Sequence, residues 1–216
     1  YNISPIILDQ GMNKLLNIFV FSIIRMTLGL KNRLADPRRW SAFTPYIDYN
    51  YLRYHGVDLA FGSVKLVGFP IIKKARHSSI IIGSDVTLIS HSRGNPAGIN
   101  HQVILSTLQE GAKISIGNGC GFSGSSLCAA TSITIGDHTG LGVNASVYDT
   151  DFHSPLHFGT SMDGIHSAKS NPVELGKYVW VGANALILKG VHIPDYSIIP
   201  AGTVVRTNLT TGTHFQ

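Results

Sequence analysis

The sequence has little charge and no basic cluster. Only 13% of its 216 residues are Asp, Glu, Lys or Arg, and no run of Lys and Arg is longer than a pair. Nucleic-acid-binding proteins carry a basic stripe or patch, so no nucleic-acid partner is expected. The formal net charge of +5 still fits an anionic partner such as a phosphate-bearing cofactor or an acidic glycan. Hydrophobic residues make up 44% of the chain, which excludes disorder.

Cysteine is also scarce. Cys120 and Cys128 are the two present, and neither belongs to a Cys-x-x-Cys pair with a matching histidine set, so a structural zinc site is not expected. This usage indicates a reducing compartment, and we predict a cytoplasmic protein.

No segment is long and apolar enough to span a membrane. The run Leu15–Leu30 is interrupted by Arg25 and is shorter than the roughly 20 residues that a span requires. No convincing cleavage site follows it, so a signal peptide is not expected either.

Glycine is abundant, with 23 residues, and the chain is periodic from about residue 64. An aliphatic residue recurs at every sixth position near the C-terminus, and Gly176 and Gly182 each follow such an anchor. The anchors are Leu175, Val181, Ile187, Ile193, Ile199 and Val205. A period of six fits neither an α-helix nor a plain strand. It fits a short strand plus a turn, three of which close one coil of a solenoid.

The sequence therefore predicts a mainly β fold, a left-handed parallel β-helix solenoid with a helical N-terminal segment. The predicted divisions are an N-terminal cap segment over 1–60, the β-helix over 61–208 and a tail over 209–216. A polar bulge interrupts the repeat at 89–103, and a longer loop protrudes near 148–172. Long loops in a compact coil usually carry function.

Two interpretations of Leu15–Leu30 remain open. A solenoid needs a cap over its terminal apolar face, and a helix here could provide it. The same segment could instead lie on the inner face of a membrane as a peripheral contact, with Arg25 and Lys31 near the headgroups.

Residues 64–208 resemble the hexapeptide-repeat acyltransferases. The run from Pro172 to Pro194 is similar to the distal signature of that family, as is Ile199–Val205, apart from Pro200 where the family has glycine or alanine. The tract Val147–Ser154 resembles the loop entry of its sugar O-acetyltransferases. The resemblance implies a homotrimer, with acetyl-CoA in a groove between neighbouring subunits and a catalytic histidine in that groove.

His153 is the candidate general base. Histidine is the side chain whose charge state changes most readily near neutral pH, and His153 opens the long loop. Asp149 and Asp151 precede it with the same parity, so either could hold its second ring nitrogen. Two alternatives to catalysis remain. These residues could simply belong to a solvated loop, or Asp149, Asp151 and His153 could form a metal site with His157. We expect no metal, because acyl transfer needs none.

The remaining candidates concern the substrates. Asn144 is a candidate for hydrogen-bonding the acceptor, or it is a coil-corner asparagine in a left-handed conformation. His157 is a second acceptor candidate. The resemblance places the pantetheine arm of acetyl-CoA at Trp180, Ala183 and Ala201. Arg206 and Lys189 are the basic candidates for its phosphates.

The sequence thus predicts an acetyl-CoA-dependent O-acetyltransferase that acts on a carbohydrate, with a surface polysaccharide or its precursor as the expected acceptor. An N-acetyltransferase for an amino sugar and a non-catalytic β-helix scaffold are the alternatives.

Overall fold

The six-residue repeat folds into short strands that stack in parallel. The computed structural model describes residues 44–161 and 163–210, and these contain one α-helix, α1 (Thr44–Tyr54), and 17 strands in three sheets. Sheet I consists of β1 (Val64–Val67), β4 (Val86–Ile89), β7 (Gly121–Ser123), β10 (Gly140–Leu141), β13 (Trp180–Val181) and β16 (Ile198–Ile199). Sheet II consists of β2 (Ile71–Lys73), β5 (Ile104–Thr107), β8 (Ser126–Ala129), β11 (Ser146–Tyr148), β14 (Leu186–Ile187) and β17 (Val204–Val205). Sheet III consists of β3 (Ser79–Ile82), β6 (Lys113–Ile116), β9 (Ser132–Ile135), β12 (Val173–Leu175) and β15 (His192–Ile193).

The chain visits sheets I, II and III in turn, so that three strands make one coil. Each strand pairs in parallel with the strand one coil away, which is the connectivity of a three-sided β-helix. The predicted fold class, a left-handed parallel β-helix, is therefore confirmed.

The aliphatic anchors of the repeat form the core of the solenoid. All six distal anchors, from Leu175 to Val205, are at most 4% exposed. Adjacent anchors along a sheet are in register, as in the pairs Leu141–Val181 and Val181–Ile199. Burying an aliphatic side chain contributes roughly 1.5–3 kcal/mol, so a repeated column of them accounts for much of the coil's stability.

The corners between sheets place residues in the left-handed conformation. Asn144 and Asn184 have φ of +58° and +57° at successive turns of the corner between sheets I and II, a conformation that asparagine tolerates better than most residues. Gly182 is required at the same corner, because a Cβ there would lie 2.4 Å from the backbone nitrogen of Ala201. The coils therefore approach each other closely along this corner.

Two loops leave the solenoid, as the sequence predicts. The first spans 90–103 and contains a short 3₁₀ turn at Ser92–Gly94. It is tied to later coils, because the Asn100 N–H donates to Asn144 Oδ1 at 2.9 Å and Asn95 Nδ2 donates to Ser123 Oγ at 3.1 Å. The second loop spans 149–172, between β11 and β12.

Helix α1 packs on the first coil. Leu52 and Val57 are fully buried in the common core, and the Tyr51 hydroxyl donates to the Pro70 carbonyl at 2.6 Å. Residues 44–60 thus pack with the solenoid, in a compact unit that begins at Thr44. The predicted boundary near residue 60 stays a prediction, because residues 1–43, Leu15–Leu30 included, lie outside the described part of the chain, as does most of the 209–216 tail. No helix within the described ranges is long and apolar enough to cross a membrane.

Asp48 makes the stability of this helix depend on pH. Its side chain is 6% exposed, and burial raises its pKa from 3.8 to about 6, although a hydrogen bond from the Leu66 N–H at 2.9 Å opposes this. The folded protein therefore binds an additional proton between about pH 4 and 6, and stability falls as pH rises through that window. Asp48→Asn retains an acceptor for the Leu66 N–H. We expect its free energy of unfolding at pH 7 to exceed that of the wild type by about 1–3 kcal/mol.

Urea unfolding of both proteins between pH 4 and 7.5 measures this difference. The difference between the two curves should shrink toward pH 4, because Asp48 is then protonated in the folded state and about half protonated in the unfolded state. Asp58→Asn, at an exposed carboxylate paired with Arg53 at 3.1 Å, is the control and should follow the wild type. A gap between wild type and Asp48→Asn that does not vary with pH would show that the carboxyl does not titrate in this range.

Candidate active site

His153 lies in the 149–172 loop and is paired with a carboxylate. Its Nδ1 lies 3.1 and 3.2 Å from the two carboxylate oxygens of Asp163. The His153 side chain is 58% exposed and that of Asp163 is 15% exposed, so the carboxylate is largely covered while the imidazole faces solvent. The ring of Phe158 lies edge-on to the imidazole, with ring centroids 5.8 Å apart.

The charge on Asp163 determines the tautomer of His153. Burial acts to raise the pKa of Asp163, but hydrogen bonds from the Gly159 N–H, at 3.2 Å, and from His153 outweigh it and hold the pKa below its ordinary value. An ionised carboxylate can only accept hydrogen bonds, so Nδ1 of His153 carries the hydrogen that it donates to Asp163. Nε2 is then left unprotonated in the neutral imidazole, as a general base requires.

Asp149 was predicted from the sequence to assist His153. It instead accepts hydrogen bonds from the backbone of the preceding coil. It is fully buried and accepts hydrogen bonds from Ala130 N at 2.6 Å, Thr131 N at 2.7 Å and Thr131 Oγ1 at 2.8 Å. Its carboxylate thereby satisfies the backbone at the turn of the preceding coil. The contact expected between Asp149 and His153 is replaced by these bonds.

Asp151 also bonds elsewhere. Its Oδ1 lies 2.5 Å from Nζ of Lys189, so it does not occupy Nδ1 of His153. Asp149, Asp151 and His153 would share one side only if the backbone were extended from 149 to 153, but Phe152 has a φ of +62°, which breaks the alternation just before His153. The carboxylate that contacts Nδ1 of His153 is Asp163, which is neither of the two predicted acids.

Asn144 occupies the corner between sheets I and II one strand before the loop. Its Oδ1 accepts from Asn100 N, and its Nδ2 donates to Asn184 Oδ1 at 3.4 Å. With its left-handed backbone, this agrees with the corner interpretation of Asn144. The role in acceptor binding stays a prediction.

The three residues assigned to the pantetheine arm lie on two successive coils, Trp180 and Ala183 on one and Ala201 on the next. Trp180 is 54% exposed on the outer face of sheet I, where its ring lies against Gly140, so that a Cβ at Gly140 would be 2.7 Å from ring atoms. Ala183 and Ala201 stack at the adjoining corner, where the Gly202 N–H donates to the Ala183 carbonyl at 2.8 Å. Ala183 is partly buried and Ala201 is exposed.

The other candidates are dispersed. Lys189 is engaged by Asp151, so the phosphate contact predicted for it competes with an ion pair. Arg206 is exposed directly after β17. His157 lies in the long loop, where its backbone N–H donates to Ser154 O at 3.0 Å. Within residues 44–161 and 163–210, no group of three or more His, Cys, Asp or Glu side chains is placed to hold a metal ion.

The sequence did not identify Asp163 or the contact that holds the far side of the loop. Gln109 Nε2 donates to the Ile165 carbonyl at 2.8 Å, across 56 positions of sequence. Asp163 follows His153 by ten residues without a repeat or turn motif to connect them. The sequence feature that could have pointed to Asp163 is that it is a carboxylate in the same long loop as His153.

A segment of the chain is similar to a characterised enzyme. Over 77 residues it is 32% identical to the galactoside O-acetyltransferase of Escherichia coli strain K12, a match that covers 36% of this chain and 36% of that protein. The match thus spans little more than a third of the relative's length. No protein-family model matches the chain.

Solved structures with a similar fold include acyltransferases. A mutant of AntD, an N-acyltransferase from Bacillus cereus in complex with dTDP and coenzyme A, is 20% identical with a TM-score of 0.45, over 67% of this chain and 77% of that one. The polySia-specific acetyltransferase NeuO is 22% identical with a TM-score of 0.37, over 70% and 66%. The six-residue repeat and the 77-residue match together confirm that this chain resembles the hexapeptide-repeat acyltransferases.

Proposed function

We propose that the protein is an O-acetyltransferase that moves an acetyl group from acetyl-CoA to a sugar hydroxyl, on a surface polysaccharide or its precursor. The observation that carries this proposal is the hydrogen bond between His153 Nδ1 and the largely buried, ionised Asp163. It leaves Nε2 unprotonated and accessible, in the loop that interrupts the coil. The galactoside O-acetyltransferase activity of the similar protein supports a sugar hydroxyl as acceptor.

In the proposed reaction, His153 Nε2 accepts the proton of the acceptor hydroxyl as the oxygen attacks the thioester carbonyl. The carbon–sulfur bond breaks, and the proton on Nε2 passes to the departing CoA thiolate, which gives the acetyl ester and CoA. Asp163 stabilises the imidazolium that exists between the two proton transfers. Backbone N–H groups at the corner turns are candidate donors to the developing oxyanion.

The donor is proposed to lie along the corner between sheets I and II. Trp180, Ala183 and Ala201 would contact the pantetheine arm, since small residues let an extended chain approach the backbone. Arg206, exposed near the C-terminal end of the coil, would meet a phosphate. Asn144 lies on the same corner, one coil earlier, and is proposed to bind the acceptor, as is His157 from the loop.

A homotrimer would bring the proposed donor-binding corner and the His153 loop together. Within one chain, Ala183 and Ala201 lie at one edge of sheet II, whereas the His153 loop leaves from the other edge. The strand between them, β11, has three residues, a width of about 10 Å. If the groove lies between neighbouring subunits, the donor corner of one copy faces His153 of the next.

Release of CoA with different acceptors tests the proposal. The full chain is incubated with acetyl-CoA and a panel of neutral, amino and acidic glycans, and free thiol is detected as CoA forms. We expect CoA release that depends on a glycan acceptor and exceeds slow hydrolysis of acetyl-CoA alone. An absence of acetyl-CoA binding, together with no thiol release on any glycan, would instead favour the non-catalytic scaffold.

A further inference from the structure

Lys189 connects the loop to the following coil. It lies in the turn after β14, and its Nζ is 2.5 Å from Oδ1 of Asp151. The side chains of Lys189 and Asp151 are 26% and 37% exposed, so the pair is less exposed to solvent than an ordinary surface ion pair. Charge-assisted hydrogen bonds are roughly twice as strong as neutral ones.

Asp151 is linked to His153 by a backbone hydrogen bond. The carbonyl of Asp151 accepts from the His153 N–H at 2.7 Å, and the Asp151 N–H donates to the Lys169 carbonyl at 3.0 Å. Asp151 therefore belongs both to the turn that presents His153 and to the base of the loop. A displacement of Asp151 would move the backbone of His153 directly.

Phe152 also contacts the ring of Tyr148, with centroids 5.2 Å apart, and two further ties hold other parts of the loop. Thr150 pairs with Ser170 across its base, and Gln109 bonds the carbonyl of Ile165 on its far side. Neither contact involves residues 151–153. The Lys189–Asp151 pair thus anchors the segment that leads into His153 to a coil that is fixed by the core.

We propose that Lys189 is a positioning residue, which holds His153 in place for acetyl transfer through its ion pair with Asp151. This proposal rests on the proposed function, and it gives Lys189 a different role from the phosphate contact expected from the sequence. Small misplacements of a reacting group reduce the rate strongly because the aligned geometry is lost.

Lys189→Met removes the charge and retains the alkyl chain. We expect kcat to fall roughly ten- to a hundred-fold, with the KM for acetyl-CoA unchanged within about two-fold. Backbone hydrogen exchange in residues 149–161 should become faster, while exchange in the coil strands stays the same. Lys177→Met is the matched control, because Lys177 forms a comparable ion pair with Asp137 at 3.3 Å, at a corner away from the loop.

Reversing the pair provides a second test. Asp151→Lys should lose activity as Lys189→Met does, and the double variant Asp151→Lys with Lys189→Glu should recover a substantial part of kcat. Two results would overturn the proposal: an increase in KM for acetyl-CoA at constant kcat, which indicates a phosphate contact, or unchanged loop exchange in Lys189→Met. If the wild type transfers no acetyl group, the proposed function fails, and hydrogen exchange still decides whether Lys189 positions the loop.

Discussion

We expect His153→Ala to release CoA about 10²–10⁴-fold more slowly than the wild type, the usual cost of losing a general base. Without Nε2, the acceptor hydroxyl has no group to take its proton during attack on the thioester. The affinity for acetyl-CoA should be retained, since the proposed donor surface at Trp180, Ala183 and Ala201 does not include the imidazole. Single-turnover thiol release and calorimetric titration with acetyl-CoA measure the two quantities separately.

His192→Ala is the matched control for this variant. His192 also has its Nδ1 near a carboxylate, at 3.5 Å from Glu174, and is exposed to a similar degree, but it lies on sheet III rather than in the loop. It should keep full activity. Asp163→Asn should show a smaller loss than His153→Ala, because the base remains while its tautomer is no longer fixed. A fully active His153→Ala would remove His153 from the proton transfer.

Asp149→Ala is expected to destabilise the fold by about 2–5 kcal/mol. Three hydrogen bonds end on this fully buried carboxylate, and removal of an acceptor leaves buried donors unsatisfied, at about 1–3 kcal/mol each. The chemical step should be nearly unaffected in the molecules that remain folded, because Asp149 does not bond His153. Chemical unfolding and the rate per folded molecule, measured together, separate the two effects.

Asp195→Ala is the control for Asp149→Ala. Asp195 likewise accepts a backbone N–H across a corner, from Lys177 at 2.8 Å, but it is exposed, so water can replace it and the loss should be much smaller. If Asp149→Ala had normal stability and its rate fell as far as that of His153→Ala, Asp149 would have the catalytic role that the sequence suggested.

The solenoid could be predicted because its determinants are local and repeated. Each anchor from Leu175 to Val205 points into the core once per six-residue unit, so the period can be read directly from the sequence. The interruption near 148–172 could be located for the same reason, since the repeat fails there. The three sheets follow from three such units per coil.

The details of the site could not be read from the sequence, because they depend on contacts between distant positions. The loop is fixed by Lys189, Gln109 and Asp149, which bond partners 18 to 56 residues away in sequence. The positive φ of Phe152 redirects the chain before His153, so the parity of Asp149 and Asp151 no longer applies. After that turn, Nδ1 of His153 contacts Asp163 rather than the acids that are nearer in sequence.

The most direct test of the account is to follow a ¹³C-labelled acetyl group from acetyl-CoA to its product by NMR. We predict that wild-type protein places the label on a sugar oxygen, as an ester that dilute alkali removes, and that His153→Ala does so at a strongly reduced rate. Label in an alkali-stable amide would show an N-acetyltransferase, and label found only in free acetate would contradict transfer to a carbohydrate.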